Sequence, residues 1–232
     1  MSSDRIPYPE TLVLELTTRK AEGCQCPSPL SLNAPGEPQD LSDEVLEYLN
    51  SSLIPYVQRV ELKGRGDAIL ATDLLPQLLE SASEFNVPIT LETHGLGLNT
   101  DEMVDLILAS TIDKIFITIN APDEKSHLDV CGCSLDQITE GVQKLQNISQ
   151  SSDKKAPEIY FKTVATIKNI ELLPDIIGYA EKLNINRLIV VPMSISDDPN
   201  KESAFRYHRD TAEEVMYRSL IESEMKDFEL LT

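Results

Sequence analysis

Six short apolar runs, separated by helical patterns, constrain this chain more than any other feature. They fall at Leu12–Thr17, Val57–Leu62, Pro88–Glu92, Lys114–Asn120, Ile159–Ala165 and Asn186–Val191. Ile115-Phe116-Ile117-Thr118-Ile119 and Leu188-Ile189-Val190-Val191 are nearly continuous in apolar character, as strands buried on both faces read. Between the runs lie amphipathic helices. Ser42-Asp43-Glu44 opens one carrying Val45, Leu46, Leu49 and Leu53, and Thr72-Asp73 precedes Leu74, Leu75, Leu78 and Leu79. Thr100-Asp101-Glu102 caps Met103, Val104, Ile107 and Leu108, and Ser134 precedes Leu135, Ile138, Val142 and Leu145. Leu172, Ile176, Ile177, Ala180 and Leu183 form a further stripe, and a last helix begins near Thr211 and runs through Val215, Ser219 and Leu220.

Strand–helix alternation demands a parallel sheet with right-handed crossovers. A closed eight-unit barrel takes about 250 residues, whereas six units fit the 232 present. The sheet is therefore an open doubly wound one or an incomplete barrel. Ser28–Leu41, rich in Pro, Ser and Asn, predicts a long loop after the first strand, and Ser149–Pro157 a polar loop tip.

Charge narrows the partners. With 39 acidic and 20 basic side chains the formal net charge is −19, and no Lys/Arg cluster forms a basic stripe. Such a surface repels phosphate backbones and anionic lipid, so nucleic acid and membrane are excluded as expected partners. No apolar run is long enough to span a bilayer and Met1 to Pro9 has no hydrophobic signal core, which predicts a cytoplasmic protein. There is no Gly-Lys-Ser/Thr phosphate loop and no nucleophile-elbow serine. Gly95-Leu96-Gly97 lacks the third glycine of a dinucleotide site.

In parallel α/β folds chemistry collects at the C-terminal ends of the strands. Those ends carry Thr18 to Cys26 after the first strand, Gly64-Arg65-Gly66-Asp67 after the second and Thr93-His94-Gly95 after the third. The fourth leads through His127 to Cys131-Gly132-Cys133. Both Cys-x-Cys pairs, Cys24/Cys26 and Cys131/Cys133, thus fall on one rim. Residues two apart bridge each other poorly, so the paired thiols raise the question of metal rather than disulfides.

These stretches resemble the radical S-adenosylmethionine (radical SAM) superfamily. Leu12-Val13-Leu14-Glu15-Leu16-Thr17-Thr18-Arg19 matches its first strand, and Gly64-Arg65-Gly66-Asp67 stands in place of its Gly-Gly-Glu motif. Thr93-His94-Gly95 is similar to its Thr-Asn-Gly turn, Ile112 to Asn120 to its fourth strand, and Lys168-Asn169-Ile170-Glu171-Leu172 to the exit of its fifth unit. The resemblance runs to about Ser196. It implies an α/β partial (β/α)6 TIM-like barrel in a single domain over 1–232, with a core of about 10–196 and an acidic loop and helix over 197–232. It also implies a SAM pocket lined by Gly64, Gly66, Asp67, Thr93, His94, Gly95 and Thr118.

The departure from the family matters equally. The family holds a [4Fe–4S] cluster with Cys-x3-Cys-x2-Cys after the first strand; laid on this sequence, those positions are Lys20, Cys24 and Pro27. A protonated ammonium cannot ligate iron. Cys24 and Cys26 are then a modified cluster site or a pair of loop cysteines without a ligand. Adding Cys131 and Cys133 gives a four-thiolate set suited to tetrahedral zinc or an iron–sulfur cluster, but the first and fourth strands of a barrel sit well apart, so both loops would have to fold inward. His94 reads as a ligand or base, or as a hydrogen-bonded turn residue; His127 and His208 carry weaker signals. The acidic run from Asp197 to Glu229 reads as a solvated loop and helix, or as a partner-docking face. The leading expectation is a pseudoenzyme or accessory subunit that binds a ligand, peptide or protein. The others are an active radical SAM enzyme with a modified ligand set, and a zinc-stabilised binding module.

Overall fold

The computed structural model describes residues 8–26, 37–151, 156–193, 203–226 and 228–232. Among them, seven strands form one sheet: β1 (Thr11–Leu14), β2 (Arg59–Leu62), β3 (Ile89–Thr93), β4 (Ile112–Thr118), β5 (Glu158–Ala165), β6 (Arg187–Pro192) and β7 (Glu229–Leu231). Every neighbouring pair is parallel and the spatial order is the chain order. A doubly wound sheet reverses direction at a switch point. This one does not, so it curls as an incomplete barrel with β1 and β7 as its two edges.

The helices cover the outer face. They are α1 (Asp43–Ser52), α2 (Leu74–Glu84), α3 (Asp101–Ala109), α4 (Glu124–Cys131), α5 (Leu135–Ser151), α6 (Leu173–Lys182), α7 (Ala204–Tyr207) and α8 (Arg209–Met225). The anticipated caps form: the side chains of Ser42 and Thr100 accept from the backbone N–H of Val45 and Met103. Such caps contribute about 1 kcal/mol each. Val60, Leu62, Ile89, Leu91, Ile115, Ile117, Phe161 and Leu188 bury one face of the sheet against Leu75, Leu78, Val104, Ile107, Ile138, Val142, Ile176 and Ile177. Intervening strand residues turn to the concave face, because side chains alternate along a strand. That face is charged. Lys162 pairs with Glu92 across β4, Lys63 with Glu61, and Arg59 with Asp113.

Two elements depart from the sequence reading. The sixth unit is followed by a seventh strand, β7, paired to β6 from Arg187↔Glu229 to Ile189↔Leu231; three residues are too few for a periodicity signal. The stretch between β4 and Cys131, to which the sequence reading assigned no element, is a helix, α4. Only part of three anticipated segments is described. Residues 28–36 of the Ser28–Leu41 loop lie outside the described residues, as do 152–155 of the loop tip and 197–202 and 227 of the acidic run. The helix before the loop tip extends to Ser151.

Candidate metal and ligand site

The first three strand exits interlock. Asp67 N–H donates to Arg19 O at 2.8 Å, and a Cβ on Gly66 would overlap the Thr17–Arg19 backbone, with Arg19 O only 2.7 Å away. Only glycine permits that approach. Arg19 in turn holds Asp40 through two bonds of 2.9 and 2.7 Å. Glu15 accepts from Arg65, both at its backbone N–H and through its guanidinium. Burial pushes the Glu15 carboxyl up, but the bonds from Arg65 outweigh it and hold the group below the usual range.

Asp67 is buried and serves its own chain. One oxygen accepts from Ile69 N–H at 3.3 Å; the other accepts from Thr93 Oγ1 and His94 N–H, both at 2.9 Å. Thr93 Oγ1 accepts from Gly95 N–H at 2.9 Å, and Gly95 takes φ +84°. His94 Nδ1 lies 3.4 Å from the same Asp67 oxygen. Burial lowers the His94 pKa, but Asp67 outweighs it and the net direction is upward, with Cys24 adding and Lys20 opposing. Gly64 and Gly66 line the loop beside this turn, and Thr118 ends β4 next to Lys162 of β5. Gly64, Gly66, Asp67, Thr93, His94 and Gly95 therefore cluster where β2 and β3 end.

The cysteines converge. All four thiols are free, buried, and packed in one group with Ala21, Leu96 and Val130 around them. Cys26 Sγ lies 3.6 Å from Cys133 Sγ, and the sulfurs of Cys24, Cys26 and Cys133 lie within 4.8 Å of one another. The expectation that the first and fourth strands keep the two pairs apart is corrected. Asp123 caps α4 by accepting from Ser126 N–H at 3.0 Å, and Glu124 accepts from Leu135 and Asp136 at 2.6 and 2.9 Å, which pins α4 to the start of α5. Gly132 ends α4 in the left-handed conformation, φ +68°, and that turn aims Cys131 and Cys133 back across the rim. Gln25 N–H donates to Cys131 O at 2.6 Å, and a Cβ on Gly132 would overlap Gly23 O.

Two buried residues support the thiols and carried little signal in the sequence. Asn120 Nδ2 donates to Cys131 Sγ at 3.4 Å, while its Oδ1 accepts from Val164 N–H at 2.9 Å and from Asn169 Nδ2 at 3.4 Å. His127 Nδ1 donates to Cys133 O at 2.9 Å, the carbonyl being only an acceptor; its Nε2 is buried without a partner. Burial lowers the His127 pKa, but the sulfurs of Cys131 and Cys133 push it up to about 10. Bonds from Cys133 and Cys26 lower the Cys131 thiol pKa against burial; those from Cys131 and Cys133 raise Cys26. A helical i, i+4 spacing of His127 and Cys131 was the available clue.

No protein-family model matches this sequence, and no curated protein matches it. Solved structures do. SuiB of Streptococcus suis bound to S-adenosylmethionine superposes with a TM-score of 0.70 at 15% identity, over 97% of this chain and 50% of SuiB. anSMEcpe with bound AdoMet gives 0.74 at 13% identity, over 97% and 64%. A domain of pyruvate-formate lyase-activating enzyme from Bacteroides vulgatus gives 0.51 at 15%, over 74% and 96%. The chain spans about half the length of SuiB. SuiB has also been crystallised with its precursor peptide SuiA, and anSMEcpe with AdoMet and the Kp18Cys peptide. The chain thus has the α/β partial-barrel fold of radical SAM enzymes.

The SAM-binding cluster of that fold is held by thiolates on separate irons, and here the loop after β1 brings Cys24 and Cys26 into contact range of Cys133, with a lysine at position 20. Among the described residues no helix is long and apolar enough to cross a membrane.

Proposed function

We propose that this protein keeps the radical SAM scaffold without reductive cleavage of SAM, and acts in the cytoplasm as an accessory subunit that binds a peptide or protein at the C-terminal rim. The observation that carries this reading is the convergence of the two Cys-x-Cys pairs, with Cys26 and Cys133 sulfurs 3.6 Å apart. Reductive cleavage in this fold needs three thiolates on three irons and a fourth iron left open for SAM. Cys24, Cys26 and Cys133 group their sulfurs within 4.8 Å, and Cys131 is buried beside them; with its thiolate drawn onto the same centre the open position is lost, since closed four-thiolate sites are structural and catalytic ones keep a vacancy.

The turn that resembles the family's Thr-Asn-Gly differs from it. Thr93, His94 and Gly95 keep a tight, bonded turn, but Asp67 spends both carboxylate oxygens on its own chain. The peptide-bound structures of SuiB and anSMEcpe favour a peptide occupant for that rim. The net charge of −19 favours a basic one. The reducing cytoplasm keeps the four thiols free.

Anaerobic reconstitution with iron and sulfide, followed by dithionite and SAM, tests the reading by the yield of 5′-deoxyadenosine. No product above the protein-free background is expected. Multiple turnovers would overturn it in favour of an active enzyme with a modified ligand set.

A further inference from the structure

We infer that Cys24, Cys26, Cys131 and Cys133 form a closed tetrahedral site for one zinc ion, which clasps the loop after β1 to the turn between α4 and α5. This deepens the reading above and rests on it in one respect, that the loop after β1 holds no SAM-binding cluster.

Sulfur spacing sets how many metal atoms fit. Zinc binds thiolate at about 2.3 Å, so four sulfurs around one ion stand about 3.8 Å apart. Cys26 and Cys133 sulfurs are 3.6 Å apart, and Cys24 joins them within 4.8 Å. A cubane places each thiolate on a different iron, which spreads the sulfurs well beyond one ion's coordination sphere. Cys131 is the fourth donor of the proposed site: its sulfur lies outside the 4.8 Å grouping of the other three and closes in on loading, but it is fully buried in the same cluster and receives a hydrogen bond from Asn120 Nδ2 at 3.4 Å. Bonds of that kind orient and tune metal-bound ligands.

The backbone is shaped for this meeting. Gly23 (φ +77°) and Gly132 (φ +68°) sit against each other in the left-handed conformation, one inside each flanking turn. The bond from Gln25 N–H to Cys131 O draws the two loops together. A second, independent observation is His127, whose Nε2 is buried with no partner while Nδ1 is fixed on Cys133 O. A polar atom orphaned at that depth is costly unless the completed site supplies its partner. Loading involves no redox change: one Zn²⁺ forms four Zn–S bonds, four S–H bonds break, and their protons leave to solvent.

The test uses the full chain, purified under reducing conditions and assayed for zinc, iron and acid-labile sulfide. One zinc per chain without sulfide is expected. Cobalt substitution should give the absorption of a tetrahedral thiolate site, and Cys24→Ser and Cys131→Ser should each weaken zinc in chelator competition by roughly tenfold or more, with His127→Gln retaining the stoichiometry. A folded wild-type chain that takes up no zinc overturns the inference, as does iron with sulfide. Metal kept in Cys131→Ser but lost in His127→Gln would overturn the four-thiolate assignment. The two readings fail separately. Absence of zinc with no 5′-deoxyadenosine sinks the zinc site alone, whereas an iron–sulfur cluster with turnover sinks both.

Discussion

Cys26 and Cys133 are separated by 107 positions in the chain, yet their sulfurs lie 3.6 Å apart. Nothing in a parallel sheet requires this, because β1 and β4 are separated by two intervening strands. The contact depends on α4, which carries the chain back toward the rim and releases it through Gly132.

If a metal joins those loops, the ion contributes to folding. At free zinc about 100-fold above Kd the linkage is worth about 2.7 kcal/mol, which for a chain of this size corresponds to roughly 5–10 °C in Tm. Cys26→Ser should lose that increment, and a strong chelator should lower wild-type Tm to the same value. Calorimetry with and without chelator checks both; an unchanged wild-type Tm would mean no stabilising ion.

The Asn120–Asn169 pair ties the thiol site to the β5 exit. Asn169 Oδ1 accepts from Thr166 N–H at 2.8 Å and from Thr166 Oγ1 at 3.0 Å, and its Nδ2 donates to Val164 O at 3.0 Å. Asn169→Ala leaves several buried groups unsatisfied and should cost about 2–4 kcal/mol in denaturant unfolding. A loss under about 0.5 kcal/mol, the scale of surface substitutions, would show that water replaces the network.

These residues also show what sequence periodicity can and cannot reach. The six anticipated strands and the caps at Ser42 and Thr100 follow from local chemistry and form as expected. α4 has eight residues and buries only His127 and Cys131, so it offers no apolar stripe to read. Its cap Asp123 and its terminal Gly132 were the available signals. Asn120 and His127 gain their roles from tertiary neighbours, Cys131 and Cys133, which no local pattern contains. The same applies to Asp67, whose carboxylate is consumed by Thr93 and His94 from the next strand exit.

Two glycines should respond oppositely to alanine. Gly66→Ala puts a methyl group into the Thr17–Arg19 backbone and should destabilise by about 1–3 kcal/mol while disturbing the first loop. Gly178, within α6, has nothing within 4 Å of the added carbon, so Gly178→Ala should stabilise by roughly 0.5–1 kcal/mol. A fall in urea midpoint for Gly66→Ala and a smaller rise for Gly178→Ala are the expected pattern; tolerance of Gly66→Ala would mean the two loops are not in contact.

Acid should release one ion pair on the concave face of the sheet. Arg59 holds Asp113 through bonds of 2.7 and 2.8 Å and keeps its carboxyl below the usual carboxylate range. A depressed folded pKa gives stability that is present above the unfolded value and lost as pH falls through the folded one. Asp113→Asn should therefore cost about 1 kcal/mol near neutral pH, and its curve should merge with wild type at the acid end. A difference that persists below both pKa values would assign the loss to packing instead.

The most direct test of the closed thiol centre is X-ray absorption at the zinc edge of the purified, reduced protein. Four sulfur scatterers at about 2.3 Å, with no neighbouring metal, is the result predicted from the convergence of Cys24, Cys26, Cys131 and Cys133. A shell dominated by oxygen or nitrogen, or a metal–metal vector from a cluster at the iron edge, would contradict it.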